Sequence, residues 1–184
     1  MKKRLAFALF AAGLATTACS SVDKAAREAN PAPCPNTIVL ADAANLVEFD
    51  GGQTAEDVAF TGEIVNISSA CRYFGDKPIE AEIELELAFG KGPKGGADEK
   101  IYKYFVAVTR TNLEVIAKRE FLVPVEFSES RRVVVTKEDI DKIEIPRASE
   151  ETSGLNFEIV VGFVLTPQQA IYNRSGKSLK FPDI

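Results

Sequence analysis

The chain has 184 residues, the length of one domain with a terminal extension, and it leaves little room for two domains. Hydrophobic residues make up 46% of it and charged residues 27%, so it is too apolar to remain disordered. It contains no histidine and no tryptophan, which excludes His-based catalytic triads and removes the usual general base and commonest metal ligand near neutral pH.

The first 18 residues have the pattern of a secretory signal peptide. Lys2, Lys3 and Arg4 precede an uncharged, mostly apolar stretch over residues 5–18. A membrane-spanning helix needs about 20 apolar residues, so this stretch is short for a permanent span. We therefore predict that residues 1–18 are a signal peptide that is removed.

The end of this stretch reads Thr16-Thr17-Ala18-Cys19, followed by Ser20. It resembles the lipobox of bacterial lipoproteins, although Thr16 stands where that family usually has leucine. The resemblance implies a diacylglycerol on the Cys19 thiol, cleavage before Cys19, and an acyl chain such as palmitate on the new amino terminus. Several acyl chains give stable membrane attachment. Because Ser20 follows Cys19 where an aspartate would favour the inner membrane, the resemblance implies the periplasmic side of the outer membrane.

Residues 19–36 mix small and polar residues with three prolines and lack an apolar period, so we predict a lipidated, flexible tether. Fully extended, such a segment reaches on the order of 50 Å. Removal of residues 1–18 changes the net charge from −5 to −8. An acidic chain without a dense basic patch is a poor partner for nucleic acid, and we predict none.

Two cysteines, Cys34 and Cys71, remain if Cys19 carries lipid. In an oxidising compartment an even pair usually forms a disulfide, which would clamp the start of the fold. A redox-active pair and a pair of metal thiolates are the alternatives. Both are disfavoured because the cysteines lack C-x-x-C spacing and a neighbouring histidine.

From Thr37 onward, short β-rich runs alternate with turn residues. The predicted strands cover residues 38–40, 45–49, 57–67, 79–89, 101–109, 115–127, 131–136, 141–145 and 157–165. Thr136 begins a weak capping pattern, which predicts one helical turn over residues 136–140.

The clearest strand is 79–89, where apolar residues hold the odd positions and glutamates hold four even ones. This period of two predicts one buried and one wet face. A calcium site is the alternative for the glutamates. Neighbours on one face of a strand are about 6.6 Å apart, so a solvated acidic face is the preferred interpretation and no metal site is predicted.

The glycine-rich segment 90–100 is predicted to be a mobile loop, and it lacks the spacing of a phosphate-binding loop. Runs on either side of Arg110-Thr111-Asn112 predict a hairpin, because Asn112 tolerates left-handed dihedral angles. Tyr102 and Tyr104 are expected in the core, and an outward contact patch is the alternative.

The nearly continuous apolar run 157–165 predicts a central strand buried on both faces. After it, Thr166, Pro167 and Gln169 form a capping box, which predicts a short helix through about Tyr172 that packs on the end of the sheet.

Strand number and spacing predict an all-β fold, an antiparallel Ig-like or fibronectin-like β-sandwich over residues 37–174, with a short C-terminal helix and a tail over 175–184. A closed barrel is the alternative. The early Cys34-Pro35, the strand 104–109 and the ending 165–168 together resemble small cell-envelope lipoproteins of unassigned function. That resemblance implies no known site.

No spacing of residues singles out a catalytic group or a cofactor site, so we predict neither. The sequence predicts a non-catalytic, lipid-anchored interaction or structural module of the cell envelope, held to the membrane through Cys19 and binding an envelope protein. The alternative is a binding protein for a small hydrophobic ligand carried between the sheets. A hydrolase would need two convergent carboxyl groups with raised pKa values in a cleft.

Overall fold

The computed structural model describes residues 32–177. The predicted signal peptide, Cys19, most of the tether and residues 178–184 of the predicted tail lie outside these residues. Within residues 32–177, no helix has the length and hydrophobicity that crossing a bilayer requires.

The described residues form a mainly β structure with one short C-terminal helix. The strands are β1 Asn36–Val39, β2 Asn45–Phe49, β3 Val58–Arg72, β4 Ile79–Lys91, β5 Glu99–Arg110, β6 Val115–Glu126, β7 Val133–Ile145 and β8 Phe157–Phe163, and the helix is α1 Pro167–Arg174. Single 3₁₀ turns cover Ala41–Ala43, Ala55–Asp57 and Gly154–Asn156.

The strands form two four-stranded sheets. The first has the order β1-β8-β5-β6 and the second has the order β2-β3-β4-β7. All neighbouring strands are antiparallel except β1 and β8, which are parallel. The all-β prediction with a short C-terminal helix is therefore confirmed, and the strands form two sheets rather than a closed barrel.

Strand β4 has the predicted alternation. Ile79, Leu85 and Leu87 are fully buried, while Glu84, on the opposite face, is exposed. The other three glutamates of that face, Glu80, Glu82 and Glu86, are half-buried. Because successive side chains of a strand point to opposite faces, the odd positions reach the core and the glutamates lie on the outer face.

Both sheets contribute to one hydrophobic core. The ring of Phe89 in the second sheet lies 4.2 Å from Tyr102 and 6.2 Å from Phe163 in the first, measured between centroids. Tyr102 and Tyr104 are each 1% exposed, so both are core residues and do not form an outward contact patch.

Strand β8 is central, as predicted, although Glu158 and Val160 on its outer face are only half-buried.

Strand β7 corrects the sequence-based prediction. It runs without interruption through the two predicted strands 131–136 and 141–145, so the helical turn predicted over residues 136–140 does not form. Thr136, Glu138 and Ile140 are half-buried between exposed neighbours, which is a strand pattern. Pairing along β4 outweighs the weak capping signal, and a register shift opposite Ala81 and Ile83 accommodates an extra residue in β7.

The hairpin of β5 and β6 is confirmed, but its left-handed residue is Leu113, with φ 70°, rather than Asn112. The Asn112 side chain instead accepts a hydrogen bond of 3.1 Å from the backbone N–H of Glu114.

The capping box of α1 is also confirmed, because the side chains and backbones of Thr166 and Gln169 form reciprocal hydrogen bonds of 2.8 and 3.3 Å.

Candidate interaction groove

The predicted disulfide is present and lies along one long side of the two sheets. The Cα atoms of Cys34 and Cys71 are 5.6 Å apart, and beside them the Thr37 hydroxyl donates a hydrogen bond of 2.9 Å to the Ser69 hydroxyl. On this side, β1 packs against β3 and β2 packs against β8. The edges of the two sheets therefore meet here, and we call this the closed side.

The opposite long side is open. Strands β6 and β7 are its edge strands, and no comparable contact joins them in the described part of the chain. They are 12 and 13 residues long. Each has one edge whose backbone N–H and C=O groups lack a strand partner within residues 32–177, and such edges can pair with another chain.

A groove of about 250 Å³ lies between these two edges. We call it the β6/β7 groove. Its apolar surface comes from both sheets and its rim is charged. The apolar residues are Val106, Val108, Ala117, Phe121, Ile140 and Ile143, and the rim residues are Lys118, Arg119, Lys142 and Glu144.

Arg119 is an inward-facing charge on the edge strand β6. It lies opposite Val106 of β5 and on the same face as Phe121, and its guanidinium carbon is 5.5 Å from the centroid of the Phe121 ring. In the described residues no carboxylate lies within ion-pair distance of Arg119. By contrast, Lys142 at the other rim pairs with Glu144 at 2.7 Å. Arg119 is therefore free to bind an anionic group that enters the groove.

Glu138 of β7 lies on the same face as Ile140, two positions farther along the open side. Burial raises the pKa of its carboxyl group, and the adjacent Asp139 raises it further. Burial, and then the charge of Glu138, also raises the pKa of Tyr104, whose ring stacks on Phe121 with centroids 5.1 Å apart. The open side thus carries a half-buried carboxyl group on β7 and a cation on β6.

The remaining carboxyl groups with shifted pKa values are ordinary surface groups. A hydrogen bond from Thr54 lowers the pKa of Asp57, and one from Lys118 lowers that of Glu120. Among residues 32–177, Glu138 differs from these two groups, because its pKa is raised.

Two of the β4 glutamates are engaged in ion pairs. Glu82 binds Arg72 at 3.2 Å, and Glu84 binds Lys137 at 2.9 Å. Within the described range, no group of three or more acidic or cysteine residues is arranged to hold a metal ion.

The groove residues were not singled out from the sequence, because strand order decides which strands lie at an edge. One signal was present. The inward positions of β6 read Ala117, Arg119, Phe121, Val123 and Val125, so one charge interrupts an apolar series. Inward-pointing charges are a feature of edge strands.

Comparisons of the chain with protein-family models, with characterised proteins and with solved structures find no match.

Proposed function

We propose that the protein is a non-catalytic, lipid-anchored interaction module of the bacterial cell envelope that binds a protein partner along the β6/β7 groove. The observation that carries the proposal is the open side, where two long strand edges without a strand partner among residues 32–177 flank an apolar groove. An extended segment of a partner can add to such an edge through main-chain hydrogen bonds, and its alternate side chains can then enter the groove.

The size of the groove favours a polypeptide over a small molecule. Pockets for small molecules are usually about 300–1,000 Å³ and enclose most of the ligand. The β6/β7 groove has about 250 Å³ and is partly open to solvent. Alternate side chains of an added strand can enter it, and Arg119 offers a cation to a carboxylate on the partner.

The proposed location is the periplasmic side of the outer membrane, with diacylglycerol and an acyl chain such as palmitate on Cys19. Two observations support it. Residues 1–19 resemble a lipoprotein signal, and the Cys34–Cys71 disulfide is typical of compartments outside the cytoplasm. The acidic net charge supports a partner other than nucleic acid.

We also propose that the two sheets are the layers of an antiparallel β-sandwich with Ig-like or fibronectin-like architecture. The shared core around Phe89, Tyr102 and Phe163 supports this arrangement. The order of the strands differs from the A-B-E-D sheet of immunoglobulin domains, because β2, β3 and β4 are consecutive neighbours in one sheet. The likeness that we propose therefore lies in the two-layer architecture and not in the order of the strands.

A small hydrophobic ligand is the second candidate, and the apolar lining from Val106, Val108, Phe121, Ile140 and Ile143 favours it. Such a ligand would remain bound when the protein is extracted gently from membranes. Native mass spectrometry of that preparation would detect it as a defined added mass.

The test of a protein partner is photo-crosslinking in cells. A photoreactive side chain is placed at Lys142 on the groove rim and, as a control, at Gln168 on α1, at the end of the domain remote from Cys34. We expect one envelope protein to crosslink from position 142 and not from position 168. The Ile140→Asp substitution puts a charge in the groove, and we expect it to abolish this crosslink. Equal crosslinking from both positions, or crosslinking that survives Ile140→Asp, would contradict the proposal.

A further inference from the structure

The chain enters the described domain at one end of the two sheets, which we call the entry end. Asn36 at the start of β1 pairs with Glu158 at the start of β8, and Glu158 pairs with Thr109 near the end of β5. The disulfide joins Cys34 to Cys71 near the end of β3. The β3–β4 turn, the β5–β6 turn and the β7–β8 loop therefore all lie at the entry end.

These turns are joined to one another by hydrogen bonds. The N–H of Thr111 in the β5–β6 turn donates to the carbonyl oxygen of Asn156 in the β7–β8 loop at 3.2 Å. Arg147 of that loop donates to the carbonyl oxygens of Lys77 and Gly75 in the β3–β4 turn. The entry end is thus a connected surface rather than three independent loops.

Large apolar side chains are exposed on this surface. Leu113 is 78% exposed, which is the highest value among the large hydrophobic residues that the structure describes, and Leu155 and Val115 are 60% and 59% exposed. Phe74 of the β3–β4 turn is 37% exposed. Isolated exposed apolar residues are normal, but several on one end indicate a contact surface.

Both the backbone conformation and the solvent exposure of Leu113 are energetically unfavourable. Its φ of 70° lies in the left-handed region, which glycine and asparagine adopt far more readily than a residue with a large side chain. Its side chain also gains nothing from burial within the domain. Strained conformations of this kind are concentrated at functional positions, and here the strained turn presents a leucine to the exterior.

We infer that the entry end contacts the lipid bilayer, with Leu113, Val115 and Leu155 entering the interfacial region. The inference rests on the proposed lipid anchor. Cys19 precedes Cys34 by 15 residues, so an anchored chain leaves the bilayer and joins the domain at this end. The opposite end is farther by about one strand length, roughly 40 Å for 13 residues.

The tether also removes the need for high affinity. A tether of the kind that the sequence predicts would hold the two surfaces at an effective concentration in the millimolar range, so a millimolar affinity would be enough for the contact to be substantially populated. Two or three apolar side chains can provide that affinity, because interfacial binding scales with the apolar area that is buried.

Charges at the entry end favour zwitterionic lipid. Its turns contain cations such as Lys77 and Arg147 but also Asp76 and Glu150. Arg110 pairs with Glu114 at 3.1 Å. No basic patch is formed by these residues, so anionic headgroups gain no net attraction.

The absence of tryptophan from the sequence allows a direct test with single fluorophores. Leu113→Trp and Leu155→Trp report on the entry end, and Ile171→Trp on α1, 66% exposed in the parent protein, is the matched control. The full mature chain from Cys19 is coupled through its Cys19 thiol to a maleimide lipid. The vesicles contain phosphatidylcholine and phosphatidylethanolamine with brominated acyl chains.

We expect the emission of the Leu113→Trp and Leu155→Trp variants to shift to shorter wavelength and to be quenched at least twofold by the brominated lipid. We expect the Ile171→Trp variant to be unaffected. Adding phosphatidylglycerol or salt should not strengthen the effect. Emission typical of water from both entry-end variants, or equal quenching of all three, would overturn the inference.

The chemical coupling separates this inference from the proposed function. Failure to find lipid on Cys19 in cells would contradict the proposed anchor, whereas absence of quenching on chemically anchored protein would contradict only the membrane contact. Far-ultraviolet circular dichroism verifies that each variant is folded. Because all three substituted side chains are exposed, we expect no change in that spectrum.

Discussion

The hydroxyl of Tyr73 donates a hydrogen bond of 2.5 Å to the carbonyl oxygen of Pro33. The Tyr73 hydroxyl oxygen also accepts a hydrogen bond of 2.8 Å from the backbone N–H of Gly154. One side chain following β3 therefore holds both the entering chain and the β7–β8 loop. A Cβ atom at Gly154 would lie 2.4 Å from the Pro33 carbonyl oxygen, so this close approach requires glycine.

Tyr73→Phe should lower the free energy of unfolding by about 1–3 kcal/mol, because it leaves the buried Gly154 N–H and the Pro33 carbonyl without their partner. Urea unfolding measures the change. Tyr172→Phe on α1 is the matched control, because the structure shows no hydrogen bond from its hydroxyl within residues 32–177, and it should change stability by less than about 0.5 kcal/mol. If the two substitutions had equal effects on stability, the Tyr73 hydroxyl would not have the role of joining the entering chain to the β7–β8 loop.

Replacing both Cys34 and Cys71 by serine should lower the free energy of unfolding by about 4 kcal/mol. The disulfide spans a sequence separation of 37 residues, and closing a loop of that size restricts the unfolded chain by this amount in the chain-entropy model. A reductant should move the urea midpoint of the parent protein to that of the double variant and leave the variant unchanged. A parent midpoint that does not respond to reductant would be inconsistent with a stabilising bridge.

Glu138→Gln should stabilise the protein at neutral pH and have little effect at acidic pH. Burial and the neighbouring Asp139 raise the pKa of Glu138, so the folded state binds its proton more tightly than the unfolded chain does. Stability associated with this group is therefore present below the ordinary glutamate pKa and is lost as pH rises through the raised value.

Urea midpoints of parent and Glu138→Gln protein between about pH 4 and pH 7 test this expectation. Glu129→Gln in the exposed β6–β7 loop is the control. If the increase in stability caused by Glu138→Gln is constant over this range, or grows as pH falls, then burial of the Glu138 charge is not the cause of that increase.

Leu113→Gly should stabilise the domain by about 0.5–1 kcal/mol. Relief of the left-handed conformation at φ 70° outweighs the greater freedom that glycine has in the unfolded chain. Leu155→Gly, within the 3₁₀ turn Gly154–Asn156, should have the opposite sign. Thermal or urea unfolding of both variants decides the point, and a destabilised Leu113→Gly protein would mean that the turn is not strained.

Local patterns in the sequence predicted those parts of the fold that depend on a few neighbouring residues. The alternation from Ile79 to Phe89 predicted β4, and Thr166 with Gln169 predicted the start of α1.

The same reasoning wrongly predicted a helical turn beginning at Thr136, because pairing with β4 is a contact between residues far apart in the chain. It also assigned the left-handed residue to Asn112, whereas the geometry of the hairpin assigns it to Leu113.

The candidate groove could not be predicted for a related reason. Phe121 and Ile140 lie on strands that belong to different sheets, and they line one groove only because β6 and β7 are both edge strands on the same side. Sequence periodicity indicates which face of a strand is buried but not which strand lies at an edge. The inward Arg119 was the one local indication.

The most direct test of the central claim is the intact mass of the protein purified from bacterial membranes. We expect a chain that begins at Cys19 and carries the added mass of a diacylglycerol and an acyl chain on that residue. A protein that still begins at Met1, or one that is processed but carries no lipid, would contradict it.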